Sequence, residues 1–377
     1  MRLRHLLLLL PLSALAQTAL AQQPPAQPAP VRSPEVLPGR RVTFRITAPK
    51  ATDVRVTCEC FVGERPMQKD EKGVWSVTLG PFDPEIYEYE FSVDGVQHLD
   101  PRNPAVKYNR GPALVSSLLN VPGSGPMFYD VRQVPHGEVH VRWYDSKATG
   151  TVRRVHVYTP PGYERGAARL PVLYLLHGGD GEDSVWTAFG RANVILDNLI
   201  AERKAAPMVI VMPVGYAYSW DATATADKQQ ADFQKDLIGD LIPFVQSNYR
   251  VYADRDHRAL AGLSRGGGQS LNIGLRHLDL FSRIGVFSAG GGANPQESFK
   301  DVAANARKVN DQLGLFWVGI GTEDPGLANA KRFSEFLNTA GISHKFRTIP
   351  GAHTWIVWRQ FLNEVAPILF SSKSQTN

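Results

Sequence analysis

Cysteine is almost absent from this chain. Among 377 residues only Cys58 and Cys60 occur, two apart in VRVTCECF. That excludes a disulfide-framework domain, and also a cysteine-built zinc site, because no His or further Cys stands nearby at ligand spacing. On a strand the two thiols would share a face one two-residue repeat apart, a long reach for a bridge. The expectation is two reduced, partly buried thiols. An excess of one charge is also lacking. There are 41 Lys and Arg against 36 Asp and Glu, a formal +5, too mild and dispersed for a nucleic-acid partner. Beyond the first residues no apolar run is long enough for a membrane span. No internal repeat is visible, and no metal or organic cofactor is implied.

What is present divides the chain into segments. MRLRHLLLLLPLSALAQTALA reads as a secretory signal peptide over residues 1–21, with a basic start, an apolar run and an Ala19-Leu20-Ala21 cleavage site. A membrane helix is the rival reading, but the run is short and broken by Pro11. Its removal takes away Arg2 and Arg4, lowering +5 to +3. The mature chain is therefore expected to be secreted or periplasmic. Residues 22–36, rich in Pro, Gln and Ala, read as a linker. Residues 37–122 hold short alternating runs such as VTFRITAP, VWSVTLGP and YEYEFSVDG between turn residues, the pattern of a small all-β sandwich. Residues 123–136 read as a second linker.

From residue 137 to 373 the pattern changes. GEVHVRWYD and RRVHVYTPPGY suggest an antiparallel pair. LPVLYLLHG and PMVIVMPVG are continuous apolar runs, as in strands buried on both faces. Phe233, Leu237, Leu241 and Val245 share one helical face. Strands alternating with helices predict an α/β fold with a mainly parallel central sheet.

One stretch in this region carries chemistry. GLSRGGGQS sits where a strand stops and a helix starts, and Gly262 to Gly266 spell G-x-S-x-G. A serine at such a sharp turn is strained, and side chains two residues either side would collide, which glycine avoids. The plainer alternative is a small-residue turn that lets helix and strand pack closely. Serine needs a base to take its proton, and in this architecture acid and then His follow in the chain. His353, in PGAHTW between a strand and a helix, suits a base better than His344, His277 or His177. Asp324 in GTEDPG suits the acid, with Glu323 as the alternative. An oxyanion hole would use the N–H of Arg265 and one from Gly179 or Gly178 in LLHGGDGED.

The segments YTPPGY, LPVLYLLHGG, VIVMPVG, HRALAGLSRGGGQS, GTEDPGLANAKRF and GAHTWIVWRQFL together resemble the esterase D-like family of α/β-hydrolases, in the feruloyl and acetyl xylan esterase branch of carbohydrate esterase family 1. The resemblance covers residues 137–370. It implies a nucleophile at Ser264, an acid at Asp324 and a base at His353, with no cofactor. GVWSVTLGPF and YEYEFSVDG resemble an immunoglobulin-like module related to carbohydrate-binding family 48. That module either contacts glycan through Trp75 or Tyr87 or packs on the catalytic domain, and packing is expected. The chain departs from the family in having Arg265 after the nucleophile instead of Met, and Thr354 after the base instead of Asp.

Trp220, Trp355, Trp186 and Tyr218, with Tyr216, fall on loops near the motifs and suit an aryl acid or sugar ring. The expected substrate is an ester on plant cell-wall polysaccharide or a small aryl ester, feruloyl before acetyl. Rival readings are an esterase of another acyl class, such as a siderophore ester, an acyltransferase on the same fold, and a carbohydrate-binding protein without turnover.

Overall fold

The structure is a computed structural model that describes residues 31–108, 115–179, 181–218 and 224–371. Its first part is a β-sandwich. One sheet has the order β1-β2-β6-β5 and the other β4-β3-β7-β10-β9, with β8 paired to β7. The strands are β1 Glu35–Leu37, β2 Arg41–Thr47, β3 Val54–Cys58, β4 Glu64–Pro66 and β5 Gln68–Lys69, then β6 Val74–Leu79, β7 Glu85–Val93, β8 Val96–His98, β9 Val106–Tyr108 and β10 Val115–Val121. Inward residues of the two sheets, among them Phe44, Val56, Tyr89 and Leu119, form one core. Trp75 and Tyr87 belong to that core and are buried, so neither is available to a glycan. β1 begins inside the segment expected to be a linker, and Ser33 there accepts a bond from the Arg45 N–H at 3.0 Å. The sandwich thus starts earlier than residue 37, because the chain gains a strand partner there.

Cys58 and Cys60 are joined by a disulfide, contrary to the expectation of two free thiols. That expectation assumed continuous extended chain. β3 ends at Cys58 and the chain turns, which brings the two Cα atoms to 5.1 Å, inside the usual range for a bridge.

Residues 123–136 are packed, not a loose linker. Tyr129 is buried with residues of the second part. Asn198 donates to the carbonyls of Phe128 and Asp130 at 2.9 and 3.0 Å. A buried, bonded segment cannot act as a free hinge.

The second part is an α/β unit around an eight-stranded sheet of order β11-β12-β14-β13-β15-β16-β17-β18. Its strands are β11 Glu138–Ser146, β12 Thr151–Thr159, β13 Val172–Leu176 and β14 Val209–Pro213, then β15 Arg258–Leu263, β16 Arg283–Phe287, β17 Leu315–Gly321 and β18 Lys345–Ile349. β11, β12 and β14 pair antiparallel, and the remaining neighbours are parallel. The α-helices between and after the strands are α1 Val185–Ala188, α2 Ala192–Ala201, α3 Ala226–Asp236, α4 Ile242–Asn248, α5 Arg265–Arg276, α6 Pro295–Ser298, α7 Lys300–Ala304, α8 Ala306–Gln312, α9 Leu327–Thr339 and α10 Trp355–Leu369. A π-helical turn, Leu237–Leu241, joins α3 to α4. Phe233, Leu237, Leu241 and Val245 all face the core on that side of the sheet. Among the described residues no helix is long and apolar enough to cross a membrane.

Candidate active site

β15 runs into α5 through Ser264, whose φ of 51° and ψ of −117° lie outside the ordinary regions for a residue with a side chain. Such strain persists only where the surroundings enforce it. Here the Ser264 N–H is held by the Phe287 carbonyl at 2.8 Å and its carbonyl accepts from Gly268 N–H at 2.9 Å. A Cβ on Gly262 would lie 2.6 Å from the backbone of Gly266, and one on Gly266 would lie 2.4 Å from the His177 carbonyl. The two motif glycines are therefore required by close backbone approach.

The loops after β17 and β18 are laced together. Thr322 N–H bonds the Ile349 carbonyl at 2.8 Å and Glu323 N–H bonds the Gly351 carbonyl at 3.0 Å. Between them they present Asp324 and His353. Asp324 is buried, its side chain 1% exposed. One oxygen accepts from Gly326 N–H at 2.8 Å and the other stands 2.8 Å from His353 Nδ1. His353 Nε2 lies 2.8 Å from Ser264 Oγ. Asp324 accepts only, so Nδ1 carries the proton and Nε2 is left to accept from the serine hydroxyl. Glu323 is exposed and joins the lacing through its backbone alone. His344 bonds Ser334 and the Ile342 carbonyl instead.

His177, set aside as a base, has another role. It is buried, its Nε2 accepts from Gly215 N–H at 2.8 Å, and its Nδ1 donates to the Gly178 carbonyl at 2.8 Å. It ties the loop after β13 to the loop after β14. Tyr216 adds a hydroxyl bond to the Gly179 carbonyl, and Arg265 lies 4.0 Å over the Tyr216 ring. The side chain of Arg265 thus stacks on this second loop, a cation–π contact. Further along, Asp183 is buried and bonded to Arg154 and to His156 Nδ1. Burial would raise its pKa, but the hydrogen bonds from His156 and Arg154 hold it well below the usual carboxylate range.

Ser264 and His353 open onto a cavity of about 200 Å³ that Gly178, Gly179, Trp355 and Trp358 also line. Trp355 packs edge-on against Trp186 at 5.0 Å and against Phe189 at 5.5 Å. Trp186 is buried behind it, with its indole N–H on the Leu176 carbonyl. Tyr218 bonds Asp232 and packs on the other side of the sheet, away from this cavity. Trp220 lies outside the described residues. Sequence reading missed Trp358, whose ring meets His353 edge-on at 5.0 Å. Its i,i+3 spacing from Trp355 on α10 is the signal that could have found it. It also missed Glu59, Glu88 and Lys107, which line the cavity from the β-sandwich and have no such signal. A separate group, Glu138, His140 and Glu164, brings potential metal-ligand atoms within 4.8 Å of one another, and Glu138 and Glu164 line a different cavity.

Residues 146–368 match the Esterase family, described as "Putative esterase". The chain belongs to this esterase family. It is 33% identical, over 87% of its length, to an endo-1,4-beta-xylanase/feruloyl esterase of Xylanibacter ruminicola, covering 44% of that protein. It is 27% identical to an esterase of Mycobacterium tuberculosis over 56% of each chain. The esterase therefore spans about half the length of these relatives. Among solved structures, a ferulic acid esterase of Anaeromyces mucronatus bound to ferulic acid superposes with a TM-score of 0.57 at 25% identity, over 65% of this chain and 96% of the other. The enterobactin esterase of Shigella flexneri shares the fold, with a TM-score of 0.65 at 19% identity over 88% of this chain and 93% of the other.

Proposed function

We propose that this esterase is exported, loses residues 1–21, and removes feruloyl or other hydroxycinnamoyl groups from plant polysaccharide through an acyl-enzyme. The observation that carries the reading is the unbroken chain from Asp324 through His353 to Ser264 Oγ, both links 2.8 Å, opening beside two tryptophans. Relatives named for feruloyl ester cleavage support the acyl half of it.

In this mechanism His353 Nε2 takes the Ser264 proton as Oγ attacks the ester carbonyl. The N–H groups of Arg265 and Gly179 receive the developing oxyanion, with Gly178 leaving space at the turn. Asp324 holds the imidazole tautomer and stabilises the imidazolium. His353 then returns the proton to the departing sugar hydroxyl, leaving Ser264 acylated. A water molecule, deprotonated by His353, releases the acid and restores the serine.

The test is hydrolysis of methyl ferulate and p-nitrophenyl acetate by the wild type and by Ser264→Ala. The variant is expected to lose about 10⁶-fold in kcat, as for other serine triads. A folded wild type inactive on both esters would overturn the reading.

A further inference from the structure

The cavity at Ser264 is walled on one side by the β-sandwich. Glu59 sits in the turn bridged by Cys58 and Cys60, Glu88 on β7 and Lys107 on β9. These residues hold one another in place. Glu59 N–H bonds the Glu88 carbonyl at 3.0 Å, Glu88 N–H bonds a Glu59 carboxylate oxygen at 2.9 Å, and the Lys107 ammonium pairs with the Glu88 carboxylate. The side chains of Lys107 and Glu88 are only 9% and 17% exposed. Lys107 also lies 5.4 Å over the Phe189 ring, which supports Trp355 of the aromatic wall. Charged groups withdrawn from water this far need hydrogen-bonding partners.

The cavity's size limits what else can enter. About 200 Å³ exceeds the roughly 150 Å³ that accepts one benzene ring but excludes a polysaccharide chain. The acyl group must enter and the glycan must stay outside. A ring entering beside Trp355 and Trp358 meets a wall that offers both a carboxylate acceptor and an ammonium donor. A ring hydroxyl satisfies both at once, a methoxy group can only accept, and a bare ring satisfies neither.

We propose that Glu59 and Lys107, held by Glu88, form a subsite for a hydroxyl group on the aryl ring of the acyl moiety, so that the β-sandwich reads the acid half of the ester. This rests on the hydroxycinnamoyl esterase reading above. Burial in the cleft wall and the Glu88 carboxylate push the Glu59 pKa up to about 7, although its own side chain is open to the cleft. It accepts a phenol hydrogen in either protonation state.

The experiment compares kcat/KM for methyl 4-hydroxycinnamate, methyl 4-methoxycinnamate and methyl cinnamate across the wild type, Glu59→Gln, Glu59→Ala and Lys107→Met. The wild type is expected to prefer the hydroxylated ester by about 10- to 100-fold, the range for hydrogen bonds to charged groups. Glu59→Ala and Lys107→Met should bring that ratio towards one, and Glu59→Gln, which keeps an acceptor, should retain part of it. If Lys107→Met fails to fold, the Glu59 variants decide, because that side chain is exposed. Folded Glu59 variants with the wild-type ratio overturn the proposal. Cleavage of all three esters without preference overturns the subsite alone. Cleavage of p-nitrophenyl acetate with none of the cinnamates overturns the hydroxycinnamoyl reading itself.

Discussion

At Gly266 an added methyl group would meet the carbonyls of His177 and Leu176 at 2.4 and 2.7 Å. These are backbone atoms at the end of β13, so they cannot swing aside. Gly266→Ala is expected to cost about 1–3 kcal/mol as overpacking. It should also displace the loop that carries Gly178 and Gly179, and an ångström-scale misplacement costs about 100-fold in rate. Thermal melting and ester hydrolysis would measure the two effects separately. The acid role proposed for Asp324 can be tested in the same way. Asp324→Asn should lower kcat by about 10⁴-fold, because an amide can impose the wrong imidazole tautomer. Glu323→Gln, altering an exposed side chain, should change kcat little. At this scale the turns that carry Ser264, Asp324 and His353 were legible because each has its own local signature. The stack of Arg265 on Tyr216 was not, since one partner opens α5 and the other lies in the loop after β14.

The loop that follows β13 depends on neighbours from β12. Asp183 accepts from Arg154 Nε at 2.8 Å and stands 2.9 Å from His156 Nδ1. Its native pKa is depressed, while in the unfolded chain an aspartate titrates near about 3.9. The stabilisation is therefore complete above that unfolded value and is lost as pH falls through the lower native one. Asp183→Asn should reduce stability by about 1–3 kcal/mol at neutral pH, as for a buried group left badly partnered. Urea midpoints of wild type and variant should converge in acid, and a difference independent of pH would contradict the assignment. The alternation and apolar runs that define β12 and β13 were readable as elements. Which strand grips which loop was not, because β12 reaches that loop only once the sheet has assembled.

At the scale of the whole molecule a buried ion pair joins the two parts. Arg359 on α10 is fully buried, bonds Glu85 on β7 and the Ile86 carbonyl, and lies between the rings of Tyr129 and Phe189. Arg359→Met leaves the Glu85 carboxylate buried without its cation, and should cost about 3–5 kcal/mol in chemical unfolding. Ile86 and Leu118 of the sandwich share a core with Trp186, Phe189 and Trp355. Deleting residues 22–122 would expose that core. The truncated chain is expected to aggregate or melt without a cooperative transition, and a well-folded, fully active truncation would refute this.

The sequence by itself determined what nearby residues decide: the strained serine between glycines, the turns that carry Asp324 and His353, the sandwich before the parallel sheet, and the apolar face through Phe233 and Val245. These follow from chain geometry over a few residues, through turn sterics, side-chain period and the length of apolar runs. Only the tertiary structure decided that Cys58 and Cys60 meet in a turn, that His177 and Tyr216 lock the loop at Gly178 and Gly179, and that Glu59, Glu88 and Lys107 wall the cavity. Glu85 and Arg359 are 274 residues apart. Nothing local to either one marks it as the other's partner, because a buried charge selects its counterion only when folding has closed both away from water.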